Sequence, residues 1–144
     1  MNWRRRGPRS RPSVFGRPMK LDAAFSRESL AALGEDAVAP LFRGEISALA
    51  ERYGYALACG RGSEPAIRAD LARSLSDVGA RSLGAPPAQS VRAVKYFKPN
   101  SSNLVALVEC LAPTDNGADL LVELIVTANG EGHHITLEEI SNAA

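Results

Sequence analysis

The stretch NLVALVECLAPTDNGADLLVELIVTANGEGHHITLEEI, residues 103–140, decides the fold of this chain. Within it, apolar residues recur at every second position in three segments, and the segments are separated by turns rich in Pro, Asp, Asn and Gly. This period puts alternate side chains on opposite sides of a strand, and such short turns make neighbouring strands antiparallel. With SVRAVKYFKP (90–99) as the first strand, the sequence predicts a four-stranded antiparallel meander.

Strict alternation assigns the side chains of this meander to two faces. One predicted face is wholly apolar and is the expected seat of the helices: Leu104, Ala106, Val108, Cys110, Leu120, Val122, Leu124, Val126, Ile135 and Leu137. The other is mixed: Val105, Leu107, Glu109, Leu111, Leu121, Glu123, Ile125, Thr127, His134, Thr136, Glu138 and Ile140. A face meant only for water would not need so many large aliphatic residues, so we expect it to close over a cavity or to meet another subunit.

The residues before the meander predict helices. Ser26 can cap a short helix that ends at Gly34. A second helix is predicted from Pro40 to Ala58, and a third after Ser63 up to Gly79, because their apolar residues recur at steps of three and four. Residues 81–90 read as a linker. The predicted fold class is therefore α+β, with N-terminal helices packed on a curved four-stranded antiparallel meander, in a single domain over residues 21–142.

The start of the chain is strongly basic. Residues 1–20 hold seven cations and no acid, so the other 124 residues carry 10 Lys and Arg against 16 Asp and Glu, a net charge of −6. We predict a disordered tail, because this segment has too few apolar residues to offset the entropy of ordering. It could contact RNA, DNA or anionic lipid, it could dock on the acidic domain itself, or it could reflect a misassigned start, with Met19 as the true beginning.

The composition bounds the rest of the interpretation. The hydrophobic fraction of 45% is ordinary for one globular domain, and no run of 18 apolar residues suggests a membrane span. Cys59 and Cys110 are too far apart for a redox pair, and two thiols cannot supply a four-ligand zinc site. The sequence therefore predicts a cytoplasmic protein with no cofactor and no metal, and the acidic domain does not favour nucleic acid.

Two adjacent histidines and the glutamates near them are the candidate chemical groups. Neighbouring residues on a strand point to opposite sides, so only His134 can join Glu109, Glu123 and Glu138 on the mixed face. His134 with Glu109 or Glu123 is the candidate acid–base set, and the candidate ligand contacts are Thr127, Thr136 and Glu138.

Register decides which of these groups meet. A tight turn at Asn129-Gly130 would place Glu123 opposite Thr136, whereas a four-residue loop would place it opposite Glu138. Because opposed like charges are unfavourable, we predict the tight turn, unless a cation or a raised carboxyl pKa is present.

Helices, then a linker, then the closing segments LVALVECLA, DLLVELIVTA and HHITLEEI make the order of elements from about Pro40 to Asn142. This order resembles the nuclear transport factor 2-like superfamily of cone-shaped α+β domains, which includes polyketide-cyclase and ketosteroid-isomerase relatives. YALACGRGS (55–63) departs from the pattern, since it is a poor candidate for the strand pair that such folds insert. A cystatin-like arrangement is the nearest rival. The resemblance implies a pocket between sheet and helices, often with acid–base residues, and frequent dimerisation through the outer face of the sheet.

These patterns favour a small non-catalytic binding or dimerisation module, of the accessory or immunity-like bacterial kind, that forms a homodimer or binds a protein partner through the mixed face. No spaced catalytic signature stands out. The alternative is a small-molecule lyase, isomerase or cyclase that uses the His/Glu pair. A nucleic-acid binder rests on the basic start alone.

Overall fold

The computed structural model of the chain describes residues 19–85, 87–130 and 132–143, and these form three α-helices and five β-strands. Residues 1–18, which make up nearly all of the predicted tail, lie outside the described residues. The helices are α1 (Arg27–Arg43), α2 (Ile46–Tyr53) and α3 (Ser63–Asp77), with a 3-10 turn at Ala56–Ala58. The strands are β1 (Met19–Lys20), β2 (Val91–Tyr96), β3 (Leu104–Pro113), β4 (Asp119–Asn129) and β5 (Gly132–Asn142).

The strands form one antiparallel sheet in the order β1-β5-β4-β3-β2. The predicted meander of β2 to β5 is confirmed. The additional strand, β1, pairs Met19 with Ile135 and Lys20 with His134. Two residues are too short for a period to show, which is why the sequence did not predict this strand.

The core lies between the helices and one face of the sheet, which we call the inner face. Its strand residues are fully buried, as in Val108, Leu124 and Leu137. The helices contribute Leu30, Leu41, Leu49, Tyr53 and Ile67 to the same cluster, because each helix would otherwise leave an apolar stripe in water. No helix in the described part of the chain is long and apolar enough to cross a membrane.

The first helix runs further than predicted. Ser26 caps α1 and exchanges hydrogen bonds with Ser29 in a capping box, as its sequence favours. The helix passes through Gly34 because this glycine is buried against the sheet: an added Cβ would lie 2.6 Å from Val91 Cγ2. Gly34 therefore permits a close approach of helix to sheet, and the prediction that it ends the helix is wrong.

The second predicted helix, Pro40 to Ala58, is wrong in its bounds. Pro40 lies inside the last turn of α1, and Gly44, with φ +75°, ends that helix. The left-handed conformation suits glycine, so the first helix ends there and α2 begins at Ile46. Phe42, an apolar residue of that predicted helix, is 36% exposed.

Two irregularities in the sheet correct the predicted faces. Near the start of β3 the register shifts, so that Leu104 pairs with Thr127 on the outer side and Val105 packs against the core. In β5 the shift places Leu137 opposite Leu124 and Glu139 opposite Glu123, and Ile140 is fully buried. One extra residue in a strand reverses the alternation beyond it. The predicted places of Leu104, Val105 and Ile140 are therefore wrong.

Candidate functional site: the outer face of the sheet

The outer face is the side of the sheet away from the helices. Its aliphatic side chains, Leu107 and Leu111 on β3 with Leu121 and Ile125 on β4, are only half-buried. Leu107 pairs directly with Ile125, and Leu111 pairs with Leu121. Cross-strand pairing thus gives two apolar pairs, one on each side of Glu109 and Glu123, which we together call the patch, and no described helix covers it.

A row of charged side chains crosses this patch. Glu109 on β3 pairs in register with Glu123 on β4, and Glu123 pairs with Glu139 on β5. Glu138 sits beside Glu139 in the bulge, between the buried Leu137 and Ile140. We call Glu123, Glu138 and Glu139 the acidic cluster.

Glu109 has two cationic partners from β2. Arg92 Nη2 donates to its Oε1 at 3.3 Å, and Lys95 Nζ donates to its Oε2 at 3.2 Å. Glu109 is only 8% exposed, and burial opposes ionisation of its carboxyl group. The hydrogen bonds and charges of Lys95 and Arg92 outweigh burial and hold the pKa of Glu109 below its ordinary value. This group is therefore a satisfied carboxylate.

The acidic cluster lacks such partners. Within the described residues, no Lys, Arg or His nitrogen lies within 4.0 Å of a carboxylate oxygen of Glu123, Glu138 or Glu139. Burial raises the pKa of Glu123, and the charges of Glu139, Glu109 and Glu138 raise it further, against a smaller opposing effect of Lys95. Burial, followed by the charge of Glu139, also raises the pKa of Glu138. Ionisation of the carboxyl groups in the acidic cluster is therefore less favourable than in water.

The turn between β4 and β5 corrects the predicted register. Asn129 pairs with Gly132, and Ile125 rather than Glu123 lies opposite Thr136. The predicted register would place His133 opposite Val126 in the core. The observed register places His133 opposite Ala128 and lets Ile135 face Val126. Burying the His133 imidazole in the core would cost free energy, and avoiding this cost offsets the repulsion between the carboxylates of Glu123 and Glu139 in the observed register. The raised pKa values of Glu123 and Glu138 lessen the repulsion, because these groups take up a proton more readily.

His134 lies apart from the glutamates. It pairs in register with Thr127 on one side and Lys20 on the other, and Asn129 Nδ2 lies 3.2 Å from its Nδ1. His134 lies opposite Thr127, which is four residues from Glu123 along β4, a distance of about 13 Å at the usual rise of an extended chain. The structure thus brings Glu109 and Glu123 together but places His134 elsewhere on the face.

The other predicted side chains have simple places. Thr127 is beside His134 and Thr136 is opposite Ile125, both half-buried. His133 points away from His134, as predicted for neighbours on a strand, and its ring meets Phe25 edge-on at 5.0 Å. Thr127, Thr136 and Glu138 therefore share a face without converging on one point.

A pocket of about 450 Å³ lies on another part of the molecule, where β1 and the following segment meet the helices. Its lining includes Met19, Phe25 and Leu33 together with Asp36 and Arg52, which form an ion pair at 3.2 Å. Neither His134 nor the glutamates of the outer face line it. Sequence reasoning missed this pocket, since it depends on how the chain folds back before α1.

Sequence reasoning also missed the roles of Arg92 and Lys95. The sequence does place both cations on the strand that precedes the strand of Glu109. It does not show the bulge in β2 between Val91 and Ala93, which brings both cations to the same carboxylate. Within the residues described by the structure, no group of three or more His, Cys, Asp or Glu side chains could hold a metal ion. No protein-family model, curated protein or solved structure matches this chain.

Proposed function

We propose that the protein is a small non-catalytic binding module that associates with a second copy of itself through the outer face of its sheet. The observation that carries the proposal is the patch of half-buried leucine and isoleucine side chains that no described helix covers. Aliphatic side chains gathered on one open surface are typical of protein interfaces, and a two-fold axis would pair the patch with itself.

The size of the face supports this proposal. Four strands at about 4.8 Å spacing, with about ten residues in each long strand, give a surface of about 20 Å by about 30 Å. Because side chains protrude from the sheet, the accessible area of the face is larger than the product of these two lengths. It approaches the roughly 800 Å² that each partner contributes to a stable interface. The face is therefore large enough for one partner.

The alternative function, a lyase, isomerase or cyclase, receives less support. Acid–base catalysis by His134 with Glu109 or Glu123 needs these groups within reach of one substrate, and strand register separates them. Membership of the nuclear transport factor 2-like superfamily stays a prediction, and so does an accessory or immunity-like role.

Light scattering coupled to size-exclusion chromatography tests the proposal. We expect the full chain to run at twice its monomer mass, and we expect Leu107→Ser combined with Ile125→Ser to run as a monomer with an unchanged circular dichroism spectrum. The matched control is Phe42→Ser, which removes an exposed aromatic side chain from the helical side and should leave the dimer intact. A full chain that stays monomeric at high micromolar concentration would overturn the proposal.

A further inference from the structure

Asparagine followed by glycine occurs twice in the chain, at Asn116-Gly117 and at Asn129-Gly130. In such a pair the backbone nitrogen of the glycine can attack the side-chain amide carbon of the asparagine, because glycine has no side chain to hinder the approach. A cyclic imide forms, and its hydrolysis leaves aspartate or isoaspartate. We infer that Asn129 is the site of this modification in the folded protein, and that His134 assists by giving a proton to the departing ammonia.

The contacts of Asn116 oppose the reaction at the first pair. Its Oδ1 accepts a hydrogen bond from the N–H of Ala118 at 3.0 Å, and its Nδ2 donates to the carbonyl oxygen of Val78 at 2.9 Å. The N–H of Gly117, which belongs to the attacking nitrogen, donates to the carbonyl oxygen of Thr114 at 3.4 Å. Attack would require these hydrogen bonds to break, so the fold protects Asn116.

The attacking nitrogen of the second pair is more accessible. Gly130 lies exposed just after β4, and a Cβ atom built on it would meet nothing beyond its chain neighbours within 4 Å. Among the described residues, no backbone carbonyl group accepts a hydrogen bond from its N–H. The nitrogen of Gly130 can therefore approach the amide carbon of Asn129 without breaking a backbone hydrogen bond to the described part of the chain.

His134 provides a proton donor at the group that leaves. Thr127 and Asn129 are two residues apart on β4, so their side chains share the outer face, and His134 lies opposite Thr127. The imidazole reaches Asn129 diagonally, and its Nδ1 lies 3.2 Å from Asn129 Nδ2, the atom that departs as ammonia. An amide nitrogen is not basic, but it becomes an amine once the nitrogen of Gly130 has bonded to the amide carbon. The imidazolium form of His134 can then give this amine a proton.

The conversion needs only the chain and water. A bond forms between the nitrogen of Gly130 and the amide carbon of Asn129, and the proton of Gly130 passes to water. The bond from that carbon to Nδ2 breaks, and ammonia leaves with the proton of His134, which takes up another from the solvent. Water then adds to one of the two imide carbonyl groups. The product has a new carboxylate beside His134, whose other strand neighbour is Lys20.

Peptide mapping of the full chain by mass spectrometry, after incubation at neutral pH, tests the inference. Residues 101–144 contain no Lys or Arg, so one tryptic peptide carries both asparagines and its fragments report on the two positions together. In the folded protein we expect Asn129 to convert to the acid while Asn116 keeps its amide. In chains unfolded by urea the two should convert at similar rates, because the hydrogen bonds that protect Asn116 are lost.

Substitution of the two histidines tests the assistance. His134→Ala should slow the conversion of Asn129 in the folded protein by about tenfold, less than a general acid contributes in an enzyme active site, because water competes as proton donor. The matched control is His133→Ala, whose ring meets Phe25 on the opposite side of the strand and which should leave the rate unchanged. Circular dichroism checks that both variants are folded.

Three results would overturn the inference. The first is conversion of both asparagines at the same rate in the folded protein. The second is an Asn129 that keeps its amide in the folded protein over the time in which the unfolded chain loses it. The third is a folded His134→Ala variant that converts as fast as the wild type or faster. Light scattering on the same samples reports dimerisation separately, so the proposed function and this modification can fail independently.

Discussion

Replacing Glu123 by Gln should stabilise the folded protein at neutral pH. Glu123 is half-buried, and it faces a carboxylate on each neighbouring strand, Glu109 and Glu139. Opposed like charges on a sheet cost about 0.2 to 1 kcal/mol per pair, and the attraction of Lys95 offsets part of this cost. We therefore expect Glu123→Gln to raise the free energy of unfolding by about 1 kcal/mol.

The gain should depend on pH with a definite sign. The pKa of Glu123 is raised in the folded state, so the folded carboxyl group takes up its proton before the unfolded one as pH falls. As pH falls from the raised folded pKa to the ordinary glutamate pKa of the unfolded chain, the wild type therefore gains stability relative to the Gln variant. The difference between the two proteins should be largest at neutral pH and should vanish by about pH 4.

Urea unfolding followed by circular dichroism measures this effect. With a slope of about 2 kcal/mol per molar urea, a gain of about 1 kcal/mol moves the midpoint up by about 0.5 M at neutral pH. Protein concentration must be held fixed, because association adds to apparent stability. Glu51→Gln, an exposed position on α2, is the control and should change the midpoint little. A lower midpoint for Glu123→Gln, or a gain that persists at about pH 4, would refute the reasoning.

Two further substitutions test the packing beneath the outer face. Gly34→Ala should destabilise by about 1 to 3 kcal/mol in thermal or urea unfolding, despite the better helix propensity of Ala, because the added methyl group would lie 2.6 Å from a side chain of β2. Gly130→Ala, with nothing within 4 Å of its added Cβ, should be near neutral, and equal effects at the two positions would contradict this account. Tyr55→Phe should cost about 1 to 3 kcal/mol, since it leaves the buried Asp70 without the hydroxyl donor at 2.6 Å. Tyr96→Phe, at an exposed tyrosine, should cost little in the same assay, and a Tyr55→Phe variant as stable as the wild type would show that this hydrogen bond is dispensable.

The sequence predicted which residues of the candidate site share a face of the sheet, but not which of them are neighbours. Alternation correctly placed Glu109, Glu123 and His134 on one face, because it depends only on the two-residue period of a strand. It could not give the register, since a slip of two residues keeps every side chain on its face and moves only its neighbours. The predicted register would place His133 opposite Val126 in the core, which costs free energy. That cost exists only once the helices exclude water from the inner face.

The sequence by itself determined the α+β class, the meander and most of the inner face, because these follow from local periods and short turns. Only the tertiary structure decided the bulges, the path of α1 through Gly34 and the pairing of Glu109 with Lys95 and Arg92. Each of these depends on contacts between residues far apart in the chain. The bulge at Glu138 lets Ile140 enter the core, and that core is built by helices and strands from the rest of the chain.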